Sequence, residues 1–208
     1  MSGGSAPHGR QRQVFAFLFC SLDGYHEGPG GELGWGLYDE EFFDWNLRQT
    51  REVGALLLGR RTYEHFAEIW TSVDAAERMP EVAAFMNTVP KTVVAGGGPV
   101  TPWENTRVTD GSDLAAEVAR LRAESAGDVA VFGSSQLTVT LLEQGLVDEL
   151  RILLHPVLLG RGRSLYAGLK DRIDLTAGAV TVFRSGNVLL RYRPPGHAGN
   201  LQLDEAEG

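Results

Sequence analysis

Val14 to Ser21 is a short, continuous apolar run that ends in Asp23-Gly24, the pattern of a strand buried on both faces and followed by a turn. Ala55 to Leu58 is a second such run. Gly59 punctuates it, and Thr62 is the expected start of a helix carrying Tyr63, Phe66 and Ile69. Between these two blocks, Asp39 precedes a helical stretch on which Phe43, Leu47 and Thr50 share one face, with Glu40 and Glu41 at its positive end. Thr92 to Ala95 and Arg107 to Thr109 read as further strands, the first closing on Gly96-Gly97-Gly98-Pro99. Ser112 is the expected cap of a helix that repeats Leu114, Val118 and Leu121 as far as about Ala126. Val129 to Phe132 then runs through Gly133-Ser134-Ser135 into Leu137, Leu141 and Leu142, with Gly145 placed as the residue after the helix. Glu149 to Leu154 is another strand, and Val180 to Phe183, Gly186-Asn187 and Val188 to Tyr192 form a hairpin pattern.

Strands alternating with helices early and a hairpin late predict an α/β fold: a mostly parallel central sheet, helices on both faces and an antiparallel C-terminal hairpin. A single domain is expected over residues 14–194, with a polar, flexible leader over 1–13 and a flexible acidic tail over 195–208.

Charge narrows the partners. The 208 residues carry 19 Lys plus Arg against 27 Asp plus Glu, a net charge of −8, which argues against a sequence-independent grip on nucleic-acid phosphates. Any anion must be met locally. Cys20 is the single cysteine, so no intramolecular disulfide forms and a cytoplasmic setting is expected. Seven apolar residues fall far short of the ~20 that cross a bilayer, so no membrane partner is expected. The loop Tyr25–Tyr38 is glycine-rich, carries Trp35 as an exposed aromatic, and reads as functional. His26, Glu27 and Glu32 within it lack metal-site spacing with a second histidine or a cysteine, and no metal is expected. No GxSxG elbow is present.

Two strand-to-helix turns carry the candidate chemistry, because a helix N-terminus offers unsatisfied N–H groups and a positive dipole end to an anion. One is Leu58-Gly59-Arg60-Arg61-Thr62-Tyr63, where the arginines add forked donors and Thr62 a cap or a hydroxyl donor. The other is Phe132-Gly133-Ser134-Ser135-Gln136. Each is also compatible with an ordinary capped helix. GxGxxG and GxxxxGK[ST] are both absent. In an open parallel sheet both turns fall at strand C-terminal ends, and two anion sites on one rim suit a diphosphate ligand.

The segments LLGRRTYE (Leu57–Glu64), VAVFGSSQL (Val129–Leu137) and GLVDELRILLHPVLL (Gly145–Leu159), with Ser21-Leu22-Asp23-Gly24, resemble the dihydrofolate reductase-like superfamily. The resemblance runs from Val14 to Tyr192. It is closest to the branch containing the C-terminal reductase domain of the riboflavin-biosynthesis deaminase/reductase. It implies the dihydrofolate reductase-like three-layer sandwich, homodimerisation, and NADPH as hydride donor, with NADH as the other option; with no HxE and CxxC deaminase signature ahead of it, a stand-alone reductase-type domain is expected. Gly59, Arg60, Arg61 and Thr62 would then hold adenosine-side phosphates, and Gly133, Ser134, Ser135, Gln136 and Leu137 would lie along the pyrophosphate. Ala95 and Gly96 stand where the family often places a hydroxyl or basic residue near the 2′-phosphate, so the preference for NADPH rests on Arg60 and Arg61.

The acceptor implied is a small planar heterocycle of pterin, pyrimidine or flavin-precursor type. Folate reductases orient the pterin with an acid on the helix after the glycine loop. An ungapped count puts Phe43 there, with Asp44 the nearest acid, while Asp23 is a second candidate, either contacting substrate or closing an Asx turn. His155, before Pro156, reads as structural. A non-catalytic nucleotide-binding module and a homodimeric structural protein are the competing readings.

Overall fold

The computed structural model describes residues 12–196. The expected leader over 1–11 and the expected tail beyond 196 lie outside the described residues. Arg12 and Gln13, placed in the leader by sequence, are already bonded: Gln13 donates its N–H to Asp128 at 2.9 Å and accepts from the Val129 N–H at 2.8 Å.

In chain order the strands are β1 (Val14–Ser21), β2 (Tyr25–Glu27), β3 (Val53–Gly59), β4 (Lys91–Val94) and β5 (Thr106–Thr109), then β6 (Asp128–Phe132), β7 (Glu149–His155), β8 (Arg163–Ser164), β9 (Thr176–Val182) and β10 (Val188–Arg193). The helices are α1 (Glu40–Thr50), α2 (Arg60–Trp70), α3 (Val73–Arg78), α4 (Pro80–Thr88), α5 (Leu114–Glu124) and α6 (Ser135–Glu143). Eight strands form one sheet in the order β5-β4-β3-β6-β1-β7-β10-β9. The first six are parallel, and β10 and β9 append the antiparallel hairpin. This is the expected architecture.

Alternation along β1 divides the core. Val14, Ala16, Leu18 and Cys20 share one buried cluster with Leu114, Val118 and Leu121 of α5 and Leu137 and Leu141 of α6. Phe15 and Phe17 belong to the other, with Phe42 of α1, Tyr63 and Ala67 of α2 and Met86 of α4. A strand covered on both faces has no polar side, which is why it reads as a continuous apolar run. At about 1.5–3 kcal/mol per large side chain, β1 alone contributes on the order of 10 kcal/mol against chain entropy.

One buried ionic group crosses the layers. Arg151 lies 3.8 Å from the centre of the Phe15 ring and donates to Glu149 at 2.6 Å and to Gln49 of α1 at 3.0 Å. Arg191 of β10 adds two bonds to the same Glu149 carboxylate. Burial pushes the Glu149 carboxyl up, but the two arginines outweigh burial and hold it below its ordinary value.

Several local expectations shift. Helix α2 begins at Arg60 with Gly59 as its N-cap, not at Thr62. Asp113 rather than Ser112 caps α5, accepting from Ala116 N–H at 2.9 Å, and the helix stops at Glu124. On α1 the buried residues are Phe42, Gln49 and Thr50, whereas Phe43 is exposed, so the apolar face is turned one position from the expected one. Residues 25–27 of the expected loop form β2, which pairs with β8 as a separate two-stranded ribbon.

Candidate functional site

Strands β3 and β6 are neighbours and parallel, yet the helices that follow them cover opposite faces, α2 one and α6 the other. The change of side falls at their C-terminal ends, the place where open α/β sheets bind ligands. The two turns there interlock. Gly59 N–H donates to Ser134 Oγ at 2.9 Å, and Ser134 N–H donates to Thr62 Oγ1 at 3.1 Å. The fit is close: a Cβ on Gly59 would stand 3.3 Å from Ser134 Oγ, and one on Gly133 would stand 3.3 Å from the Thr62 methyl. Gly133 and Ser134 both adopt left-handed backbone, with φ 62° and 52°. Neither N-cap, Gly59 or Ser134, supplies a side-chain acceptor to its helix, so the first-turn N–H groups of α2 and α6 remain available to an anion.

The arginines have different roles. Arg60 donates to the carbonyls of Ala95 and Pro99, the latter at 2.5 Å, and so clips the glycine turn after β4 against α2. Three of its five N–H donors are directed at these carbonyls. Arg61 is two-thirds exposed, with a 3.4 Å ion pair to Glu27. Ala95 is buried, while Gly96 and Gly97 take left-handed backbone with open space where a Cβ would stand. Gln136 is exposed, and the Leu137 side chain belongs to the core, leaving its N–H as the only part that can face a ligand.

Strand β2 lies against the α6 tip. His26 Nε2 is 2.9 Å from Ser135 Oγ, and Nδ1 is 3.9 Å from Glu27. Glu27 also faces Arg163 of β8 at 4.0 Å, and with it lines a recess of about 450 Å³ that includes Gly28, Pro29 and Gly162. A Cβ at Gly162 would meet the Glu27 carbonyl at 2.1 Å, so only glycine lets the two strands of the ribbon approach this closely.

Around the C-terminal end of β1, aromatic rings form a cluster. Phe19, Tyr38, Phe42 and His155 have ring centres 5.3–6.0 Å apart in successive contacts, and Trp45 and Phe183 extend the cluster. Tyr38 and Phe43 keep about two-fifths of their surface exposed, and burial pushes the Tyr38 phenol up to about 12. Trp35, expected to be exposed, is half-buried edge-on against His155. His155 is buried: its Nδ1 accepts the Leu37 N–H at 3.3 Å, while Asn187 donates to the Leu37 carbonyl at 2.6 Å. Burial brings the His155 ring down to about 4, with Asn187 acting in the opposite sense. The end of the glycine loop is thus pinned through both backbone groups of one residue, Leu37.

The family model of the RibD C-terminal domain matches residues 12–189. The chain belongs to the RibD C-terminal domain family. The Bacillus subtilis protein YyaP is 27% identical to it over 185 residues, covering 88% of this chain and 95% of YyaP. Among solved structures, a candidate riboflavin biosynthesis protein of Shewanella sp. PV-4 superposes with a TM-score of 0.69 at 19% identity, covering 88% of this chain and 98% of its own. The diaminohydroxyphosphoribosylaminopyrimidine deaminase/5-amino-6-(5-phosphoribosylamino)uracil reductase of Thermotoga maritima gives 0.66 at 15% identity, covering 89% of this chain and 57% of that longer one. The riboflavin biosynthesis reductase Rib7 of Saccharomyces cerevisiae gives 0.58 at 15%, covering 88% and 90%. These structures share the fold.

Within this RibD C-terminal domain the two expected acids have different surroundings. Both Asp23 oxygens are occupied: they accept from Ser21 Oγ at 2.7 Å, Leu159 N–H at 3.1 Å and Gly160 N–H at 2.7 Å, which tie the end of β1 to the segment after β7. The Ser21 bond first, and then those backbone bonds, hold its carboxyl below the usual range. Asp44 lies about 200° around α1 from buried Phe42 and faces solvent, because residues two apart on a helix point to nearly opposite sides. Cys20 is buried, and burial, with Asp23 adding to it, pushes its thiol up to about 11, far from a nucleophile's range. No cluster of three His, Cys, Asp or Glu suited to a metal, and no helix long and apolar enough to cross a membrane, occurs among the described residues.

Sequence reasoning passed over the His26–Ser135 pair. The two residues are 109 positions apart, and nothing in either segment announces the other.

Proposed function

We propose that this RibD C-terminal domain is an NADPH-dependent reductase that delivers hydride to a small planar heterocycle of pterin, pyrimidine or flavin-precursor type. The observation that carries the reading is the pair of uncapped helix tips, α2 and α6, interlocked side by side at the C-terminal ends of β3 and β6. The residues fit a dinucleotide. First-turn N–H groups near Arg60–Thr62 and Ser135–Leu137 suit the diphosphate, Arg61 suits a 2′-phosphate, and the open left-handed turn at Gly96-Gly97 leaves room for backbone approach. NADPH, when bound, supplies the hydride. The protein orients the two reactants: the half-exposed rings of Tyr38 and Phe43 offer flat apolar surface to a heterocycle, and the pinned loop at Leu37 holds that wall in place. With Asp23 committed to backbone and Asp44 facing solvent, the reading assigns the proton to water.

A thermal-shift titration tests it. A ligand present at 100 times its Kd adds about 2.7 kcal/mol, which for a domain of this size is roughly 5–10 °C. NADPH is expected to raise the midpoint by that amount, NADH by less and FMN not at all. An unchanged midpoint with saturating NADPH refutes the proposal.

A further inference from the structure

Ser135 is the first residue of α6, its side chain is buried, and its hydroxyl bonds to the ring of His26. A hydroxyl has one proton to give and lone pairs to receive. Should that proton go to an anion on the helix tip, the oxygen must turn a lone pair to the ring, and the ring must then carry hydrogen on Nε2. We propose that His26 is a positioning residue for the coenzyme diphosphate, acting through Ser135, so that anion binding at the α6 tip and proton uptake by His26 favour one another. This rests on the coenzyme reading above.

The surroundings set the direction of the coupling. A cation beside a helix N-terminus opposes the dipole, so the charged ring is disfavoured while the tip is bare and favoured once a negative group sits on it. The charged groups facing His26 are Glu27 on its own strand, Arg61 from α2 and Arg163 from β8. In the free protein burial pushes the ring below its ordinary range; Glu27 works against that, and Arg163 and Arg61 reinforce it. An added diphosphate offsets the two arginines and the dipole together. By linkage, whatever factor the ligand adds to protonation of His26, the proton adds to ligand affinity.

The test follows His26 itself as well as binding. The ring titration of His26 is recorded by NMR with and without NADP⁺, and NADP⁺ affinity is measured by calorimetry from about pH 8 to about pH 5.5. For the wild type, the ring pKa is expected to rise on binding; a rise of one unit corresponds to about tenfold tighter binding at the acid end. The 2′-phosphate of NADP⁺ titrates in the same window, but against every variant alike, so differences between proteins isolate His26. H26Q, which keeps a hydrogen-bonding group without a titration, and S135A, which keeps His26 but removes the bridge, are each expected to bind NADP⁺ and to lose the extra pH dependence. Circular dichroism confirms that both are folded. Equal pH slopes in all three proteins, or a His26 ring indifferent to NADP⁺, overturn the inference and leave the coenzyme reading standing. Absence of NADP⁺ binding to the wild type at every pH overturns both.

Discussion

Replacing Ser134 separates two effects that act on a single residue. Its side chain accepts the Gly59 N–H, and its backbone sits at φ 52°, ψ 55°, in the left-handed region. Ala at this position removes the acceptor, at about 1–2 kcal/mol, and retains the strained backbone. Glycine removes the same acceptor but relieves a left-handed cost of about 1–2 kcal/mol, offset by about 0.5–1 kcal/mol from its freer unfolded chain. S134G is therefore expected to be more stable than S134A by about 0.5–1 kcal/mol, or roughly 1–4 °C in Tm. In a helix interior glycine is the worse residue by about 0.8–1 kcal/mol, so the sign is reversed. Urea unfolding followed by circular dichroism, with equal m-values for the two variants, measures the difference. S134A equal to or more stable than S134G would show that the left-handed turn does not set the energetics of the interlocked turns.

Other consequences are open to direct measurement. R61A is expected to weaken NADPH several-fold more than NADH in a binding titration, whereas R60A, which frees the Ala95–Pro99 turn, is expected to weaken both alike; equal losses for R61A would remove the 2′-phosphate assignment. D44N is expected to leave turnover unchanged, and a marked fall in kcat would return Asp44 to the site. His155 titrates at about 4 in the fold against an ordinary 6.5, so the folded state binds fewer protons than the unfolded chain between those values and stability falls as pH drops through that window. Denaturant melts across that window are expected to show the fall in the wild type and a shallower one in H155F. R151M strands the Glu149 carboxylate with Arg191 as its remaining cation and is expected to cost about 3–5 kcal/mol in the same melts; a loss below about 1 kcal/mol would mean that Arg191 alone suffices.

What the sequence discloses depends on how local each cause is. The strands β1, β3, β6 and β7 are covered on both faces, so their side chains had to be apolar throughout, and the runs are visible. The turns at Gly59 and Gly133 show because close backbone approach demands small residues at fixed offsets from a strand end. The phase of α1 is ambiguous by one position in the sequence, since both Phe42 and Phe43 are apolar and only packing against Phe19 and Phe183 selects the first. Strands β2 and β8 have three and two residues, too few for a period to appear. Helices α3 and α4 meet at Met79-Pro80, where the proline opens the second, and this junction carries no strong apolar rhythm. The fate of Asp23 could not be read locally either, because the amides that occupy it belong to residues 159 and 160.

The central position of β1 bears on how the chain is made. It is made before the other strands of its sheet, but its neighbours are distant: Val14 pairs with Val129 and Ser21 with His155, separations of 115 and 134 residues. At about 5–20 residues per second, roughly 7–27 s pass before both flanks of the strand exist. For that interval VFAFLFCS is an unpaired, uncharged, strongly β-forming peptide attached to a growing chain. Until then the strand's exposure, and not the stability of the finished sheet, is what shielding of the nascent chain acts on.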